Sequence, residues 1–198
     1  MFKTLQKIGK AFMLPIAILP AAGLLLGIGG ALSNPTTAKS YPVLDNPILQ
    51  DIFQVMSAAG NVIFENLALL LSIGLCIGLA KRDKGTAALA GITGFLVMTA
   101  TTKALVVLSR HPDRTIDTGV VGSLVIGAIA VWLHNRYHNI ELPAFLGFFG
   151  GSRFVPIVTA FAGIIIGAFF FVVWPPIQAG IVSAGTAIAD WGLSLIHI

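Results

Sequence analysis

Long apolar runs alternate with short polar, turn-rich segments along the whole chain. Five of these runs are long enough, or nearly long enough, to cross the hydrocarbon core of a bilayer as helices. Prolines, glycines and charged residues separate them. The predicted spans are residues 11–32, 61–80, 86–108, 118–133 and 155–174. The pattern predicts an all-α, polytopic helical membrane protein with about five transmembrane helices. A turn-rich loop over 33–50 and a short interfacial helix over 51–59 precede the second span.

The segment between the fourth and fifth spans, residues 134–154, breaks this pattern. It is too polar at its ends to span a bilayer and too apolar for a plain loop. Its hinge residues, counted with the proline that follows it, are Pro143, Gly147, Gly150, Gly151 and Pro156. Such interrupted backbone is tolerated at membrane depth only where protein or a water-filled cavity covers it. We therefore predict a re-entrant or amphipathic segment here.

Composition supports a place in the lipid bilayer. The chain is 56% hydrophobic and 10% charged, whereas soluble domains carry about 25% charged residues. The formal net charge of +4 does not indicate nucleic-acid binding, because the basic residues form short clusters between apolar runs. The single cysteine, Cys76, lies inside a predicted span and is interpreted as a small buried hydrophobe.

The distribution of basic residues predicts the orientation. Eight lie on one side of the predicted spans: Lys3, Lys7, Lys10, Lys81, Arg82, Lys84, Arg136 and Arg153. Four lie on the other: Lys39, Lys103, Arg110 and Arg114. The excess places the N-terminus and the segment 134–154 in the cytoplasm, and makes the protein a multi-pass plasma-membrane protein. Lys103 is interpreted as an anchor whose ammonium reaches the headgroups.

Small residues at helical spacing predict close helix contacts. The pairs are Gly23 with Gly27 in the first span and Gly74 with Gly78 in the second. Such pairs let helix backbones approach one another in lipid. We expect their faces to pack against a second copy of the chain, as a homodimer, or against a further part of the same protein.

Two acidic residues and their neighbours are candidates for a substrate path. Glu65 and Asn66 lie within a long apolar run. An acid inside a membrane is costly, so a function for Glu65 is one interpretation. The alternative is that Glu65 lies at the membrane interface, where water solvates it. Arg153 follows Gly150-Gly151-Ser152 and either holds an anion or carbonyl-rich ligand or marks the inner membrane boundary. Glu141 lies in the interrupted segment and completes the four candidates.

Conventional catalytic and metal motifs do not occur in the sequence. His134 and His138 share a helical spacing used by metal ligands, but only Glu141 is near enough to be a third, and solvated cytoplasmic histidines are the preferred interpretation. Phosphate loops, nucleophile elbows and Cys-x-x-Cys pairs do not appear. We therefore predict no catalytic residue, no metal site and no cofactor.

Several motifs resemble a known family when they are taken in order. They are Leu14-Pro15-Ile16-Ala17-Ile18-Leu19-Pro20, Ile63-Phe64-Glu65-Asn66-Leu67, Asp117-Thr118-Gly119-Val120, Ile140-Glu141-Leu142-Pro143, the stretch from Leu146 to Ile157, and Trp174-Pro175-Pro176-Ile177. Together they resemble the membrane component, enzyme IIC, of the bacterial phosphoenolpyruvate-dependent sugar phosphotransferase system, in its glucose and N-acetylglucosamine branch. The motifs extend over nearly the whole chain.

The resemblance implies a hexose importer, with glucose as the expected substrate. It implies IIB and IIA partner domains, of which IIB carries a phosphocysteine and phosphorylates the sugar at the cytoplasmic face. The chain would then be part of a protein-phosphohistidine–sugar phosphotransferase whose phosphoryl-carrying cysteine lies elsewhere, since Cys76 lacks the surroundings of that motif. N-acetylglucosamine and glucosides stay open as substrates.

Two departures from the family pattern shape these expectations. Ser152 stands where many relatives carry lysine, and the chain stops at Ile198 without the second half that supplies most of the sugar site in such proteins. We expect the chain to be an N-terminal fragment. The alternative is a small membrane scaffold or assembly subunit that transports nothing.

Overall fold

The computed structural model describes residues 2–44, 46–109 and 115–196. Helices dominate this part of the chain, and no strand occurs in it, which confirms the all-α fold class. The α-helices are α1 (Phe2–Ile16), α2 (Leu19–Leu32), α3 (Pro35–Ser40), α4 (Pro47–Glu65), α5 (Leu67–Leu79), α6 (Lys84–Leu108), α7 (Gly119–Tyr137) and α8 (Phe154–Ile196). Short 3-10 turns lie at Pro42–Leu44, Ala144–Phe149 and Gly151–Arg153.

The number of membrane-crossing helices agrees with the prediction of about five. Within the described ranges, four helical stretches are long and apolar enough to cross a membrane. The bent pair α4 and α5 raises the number to five when it counts as one span. The protein is therefore a polytopic helical membrane protein.

The first predicted span, 11–32, contains a break between α1 and α2. Ile18 bonds to the carbonyl of Pro15 in a tightened turn, with a nitrogen to oxygen distance of 3.4 Å. Pro20 has no amide hydrogen to donate to Ile16, so the regular hydrogen-bond ladder stops at this point. The break separates two helices that together still form one long apolar stretch, Gln6–Leu32.

The second predicted span, 61–80, is also divided. Helix α4 runs from Pro47 to Glu65, which absorbs the predicted interfacial helix, and α5 leaves it at an angle of 55°. Asn66 occupies the break, and its side-chain Nδ2 donates to the carbonyl oxygen of Val62 at 2.8 Å. An asparagine side chain that bonds to backbone in this way competes with the helical ladder.

The predicted loop 33–50 is more ordered than its turn dipeptides indicate. The side chain of Asn34 caps α3 through the amide of Thr36 at 3.0 Å, and Asn46 caps α4 through the amide of Ile48 at 2.9 Å. The proline after each asparagine takes the first helical position, where a missing amide hydrogen costs nothing. The dipeptides therefore begin helices.

The two broken spans lie side by side with their breaks at the same level. Helix α1 packs on α5, and α2 packs on α4. A Cβ atom added to Gly60 of α4 would lie 2.6 Å from the carbonyl oxygen of Ala22, and one on Gly29 would lie 2.7 Å from that of Phe53. Helix α4 makes few contacts with α5, so the α2–α4 hairpin departs from the remaining bundle at the bend.

Helices α5 to α8 form the packed bundle that carries the protein core. Its most extensive contact joins α6 and α8, where a Cβ atom added to Gly163 would lie 2.9 Å from the carbonyl oxygen of Gly94. Met98, Ile126, Phe170 and Trp174 form one buried cluster toward one end. A second cluster, around Cys76 and Ala90, fills the other end, which agrees with the interpretation of Cys76 as a buried hydrophobe.

The last two helices extend beyond the predicted spans. Helix α7 continues to Tyr137, four residues past the predicted end at 133, because His134 is buried and bonded rather than solvated. Its 19 residues measure roughly 28 Å, which removes the need for a thinned bilayer. Helix α8 continues through Pro175 and Pro176 to Ile196. The side chains of Trp174 and Gln178 bond to the loop before α7 and hold α8 across these prolines.

Candidate functional site

Glu65 lies at the bend between α4 and α5. Its Oε1 accepts a hydrogen bond of 2.6 Å from Nδ2 of Asn61, one turn earlier on α4. The side chain is exposed on the protein surface. Asn66, the neighbouring candidate, instead turns its amide to the backbone of α4. The bend thus presents the carboxylate of Glu65 and uses Asn66 as a structural residue.

Glu65 lines a cavity of about 690 Å³ in the angle between α4 and the bundle. Helix α6 contributes Thr99 and Lys103, and the loop before α7 contributes Asp117. Phe64 and Phe95 supply aromatic surface to the same cavity. We call this space the bend cavity, and its lining combines carboxylates, an ammonium, hydroxyls and aromatic rings.

The loop that carries Asp117 is held in place by α8. The indole Nε1 of Trp174 donates to the backbone oxygen of Asp117 at 2.7 Å. Gln178 donates through Nε2 to the carbonyl oxygen of Thr115 at 3.0 Å and accepts the Asp117 amide hydrogen at 3.3 Å. The Asp117 carboxylate itself accepts from the amide of Gly119 at 2.8 Å. This side of the bend cavity is therefore fixed by the fold.

Sequence reasoning missed Lys103, Thr99 and Asp117 as residues of one cavity with Glu65. The sequence indicates a headgroup anchor for Lys103, because this residue lies near the outer end of the predicted third span. Asp117 belongs to the motif Asp117-Thr118-Gly119-Val120, and its place in this motif is the one feature of the sequence that indicates a functional role for it. Its proximity to Glu65 depends on the α4–α5 bend, which the sequence pattern did not predict.

Glu141 and Arg153 lie at the opposite end of the bundle. Glu141 lines a second cavity, of about 730 Å³, together with His138, Asn139, Ile140, Leu142 and three glycines, Gly147, Gly150 and Gly151. Arg153 is exposed, and its guanidinium lies 5.2 Å from the centroid of the Phe148 ring. The structure therefore separates the four substrate-path candidates into two pairs.

The interrupted segment 134–154 consists of the end of α7 followed by two 3-10 turns. Gly151 adopts a φ of +67° and donates its amide to the carbonyl oxygen of Ile140 at 2.8 Å, which closes the segment into a loop. Pro143 precedes the first turn, and Gly147 lies within it, where an added Cβ would meet open space. Pro156 falls in the first turn of α8, where its missing amide hydrogen breaks no helical bond.

The structure corrects the interpretation of His134 as a solvated histidine. His134 is fully buried, and its Nε2 lies 2.8 Å from the carbonyl oxygen of Arg82. Since a carbonyl only accepts, Nε2 carries the hydrogen. His138 stacks on His134 with ring centroids 5.7 Å apart. The pair packs one end of the bundle, and no group of three His, Cys, Asp or Glu residues suited to a metal ion occurs in the described residues.

The fold and the two cavities define a polytopic α-helical membrane protein with polar space at both ends of its bundle. The profile of the family described as "Phosphotransferase system, EIIC" matches residues 9–197. The chain belongs to this family. It is therefore a multi-pass membrane component of sugar transport by the phosphotransferase system, a family that takes a sugar substrate and works with IIB and IIA domains.

Proposed function

We propose that this protein is a glucose permease component that imports its sugar by group translocation. The family match over residues 9–197 carries the proposal. The glucose branch is supported by the motifs that resemble it, chiefly Ile140-Glu141-Leu142-Pro143 and the stretch from Leu146 to Ile157. The same match favours a transporter over the alternative of a scaffold that moves nothing.

The proposed orientation places the N-terminus and the 3-10 turns Ala144–Phe149 and Gly151–Arg153 in the cytoplasm. Helix α1 packs antiparallel on α5, so that Ala11 lies against Gly78. This packing brings Lys7 and Lys10 to the same end of the bundle as the basic turn at 81–84. Arg136 and Arg153 lie at that end as well. A cluster of cations at one end is typical of the cytoplasmic side.

The orientation gives the two pairs of candidate residues different tasks. Glu65 lies toward the outer end, where sugar enters, and Asn66 shapes the bend that presents it. Glu141 and Arg153 lie at the inner end, where the phosphocysteine of a IIB domain would approach. There the sulfur–phosphorus bond breaks, a bond forms between phosphorus and a sugar hydroxyl oxygen, and the hydroxyl proton is released. The charged product cannot return through an apolar bundle.

Uptake of labelled glucose tests the proposed function. The complete gene, expressed in a bacterial strain without its own glucose permease, should restore uptake only while the phosphate relay is intact, and the label should be recovered as sugar phosphate. Restored uptake in a strain that lacks the relay would overturn group translocation. Competition by unlabelled N-acetylglucosamine or a glucoside, at lower concentration than unlabelled glucose, would overturn the glucose assignment.

A homodimer is part of the proposal. Gly23 and Gly27 have no neighbouring atom within 4 Å of an added Cβ, whereas Gly74 and Gly78 are already covered by α1. The free pair on α2 offers the close approach that helix dimers use in lipid. Cysteines placed on this face should crosslink two copies in membranes. Monomer alone, across several crosslinker lengths, would overturn the dimer.

A further inference from the structure

The bend cavity brings three charged side chains from three separate elements to one space. Glu65 ends α4, Lys103 lies on α6, and Asp117 precedes α7. We propose that the bend cavity is an outward-facing entry site that binds a neutral hexose before the sugar reaches the cytoplasmic end of the protein. This inference rests on the proposed function and gives it a place on the chain.

The lining has the chemistry that a pyranose ring requires. Sugar hydroxyls both donate and accept hydrogen bonds, so carboxylates, an ammonium and threonine hydroxyls all serve as partners. Glu65 and Asp117 accept, Lys103 donates, and Thr99 does either. The rings of Phe64 and Phe95 offer apolar surface to the C–H face of the sugar. A cavity of about 690 Å³ falls within the usual range for small-ligand sites, roughly 300–1,000 Å³.

Two of the charged groups are positioned before any ligand arrives. Asn61 donates to Glu65 at 2.6 Å, and Gly119 donates to the carboxylate of Asp117 at 2.8 Å. The backbone around Asp117 is tied to α8 through Trp174 and Gln178. Groups that are already ordered lose little conformational entropy on binding. The cavity therefore does not need to assemble around the sugar.

The charge of the lining selects against the product of the reaction. The described lining residues include two carboxylates and one ammonium, an excess of negative charge. A neutral hexose is indifferent to this excess, whereas a sugar phosphate brings like charge against two carboxylates. An entry site with this preference accepts free sugar and rejects phosphorylated sugar. The cavity also lies at the end of the bundle opposite the basic turn at 81–84.

Protection of an introduced cysteine tests the site on the full chain in lipid nanodiscs. Thr99→Cys places a thiol in the bend cavity, and the native Cys76 is fully buried, which shields it from a water-soluble maleimide. D-glucose should slow the labelling of Thr99→Cys several-fold, and glucose 6-phosphate at the same concentration should not. Val43→Cys, in the 80% exposed turn before α4, should label at a rate independent of sugar.

Charge variants connect the protection to the lining residues. In the Thr99→Cys background, Glu65→Gln should raise the half-protecting glucose concentration by roughly tenfold or more, as loss of a charge-assisted hydrogen bond requires. Asp51→Asn is the matched control, because it neutralises an exposed acid on the same helix outside the cavity. Its half-protecting concentration should stay unchanged.

The inference is overturned if glucose leaves Thr99→Cys labelling unchanged, or if glucose 6-phosphate protects equally well. Saturation-transfer NMR on the unmodified chain checks glucose binding without any variant, and an absent transfer signal would also overturn it. If the complete protein takes up glucose in a relay-dependent way but glucose does not protect Thr99→Cys, the entry site is wrong and the permease assignment stands. If glucose protects Thr99→Cys but uptake does not need the relay, group translocation is wrong and the entry site stands.

Discussion

The indole Nε1 of Trp174 donates a 2.7 Å hydrogen bond to the backbone oxygen of Asp117. The bond joins the middle of α8 to the loop before α7, residues 57 apart in sequence. Trp174 is 6% exposed, and its ring contacts the ring of Phe170 edge-on. Core packing therefore fixes the indole that donates the bond. The bond therefore holds Asp117, and with it one side of the bend cavity, in place.

Replacing Trp174 by phenylalanine should loosen this loop while keeping an aromatic core residue. Loss of the hydrogen bond should cost about 0.5–1.5 kcal/mol of local stability. Hydrogen–deuterium exchange of residues 115–119 should therefore become faster. Trp132→Phe is the control, because Trp132 is 62% exposed on α7. Equal exchange rates in the two variants would show that the Trp174 bond does not order the loop.

Two glycines on the α2–α4 hairpin should respond oppositely to the same substitution. Gly60→Ala brings a Cβ atom to 2.5 Å from the backbone nitrogen of Leu26, where no flexible side chain can give way. Overpacking of this kind costs about 1–3 kcal/mol. Within a single copy Gly23→Ala meets open space, so in the monomeric chain it should leave the free energy of unfolding unchanged or slightly higher.

Thermal unfolding of both glycine variants, measured in a detergent in which the chain is monomeric, checks this pair. The midpoint of Gly60→Ala should fall well below that of the native chain, and that of Gly23→Ala should not. A native midpoint for Gly60→Ala would contradict the close packing of α2 on α4. A midpoint for monomeric Gly23→Ala as low as that of Gly60→Ala would contradict the open space beside Gly23.

The basic turn between α5 and α6 should open when its contacts from α7 are removed. Asn135 accepts the Lys81 amide hydrogen at 2.9 Å and donates to the carbonyl oxygen of Leu79 at 3.2 Å. Together with the bond from His134 to Arg82, these contacts hold the turn closed. Asn135→Ala should increase trypsin cleavage at the turn by roughly tenfold, since local opening governs proteolysis.

The matched control for the turn is Asn139→Ala, on an exposed residue beyond the end of α7. Its cleavage rate should equal that of the native chain. His134→Ala should also increase cleavage, and it should lower overall stability because it removes a fully buried side chain. If trypsin cuts the native chain and Asn135→Ala at the same rate, the α7 contacts do not close the turn.

Labelling of intact cells tests the proposed orientation. Ser152→Cys, in the 3-10 turn Gly151–Arg153, should stay unmodified by a membrane-impermeant maleimide added outside and should react after the cells are opened. Val43→Cys, at the opposite end, should react in intact cells. Modification of Ser152→Cys from outside would reverse the topology and move the bend cavity to the cytoplasmic side.

The positions of the apolar helices follow from the sequence, because lipid imposes long apolar runs and allows few charges within them. The same local physics places α3 and α4, since Asn34 and Asn46 each carry a cap that acts over two residues. The burial of Cys76 is predictable for the same reason: it lies within an apolar run. These features depend on neighbours in the chain and on the surrounding solvent.

Tertiary structure alone decided which residues meet. The free pair Gly23 and Gly27 and the packed Gly60 look alike in sequence, and only the antiparallel contact of α2 with α4 separates them. His134 reads as a solvated residue until α7 lies against the turn at Arg82. Glu65 and Asp117 share a cavity because α4 bends by 55° away from α5. Such contacts join distant parts of the chain, and packing geometry, rather than local pattern, sets them.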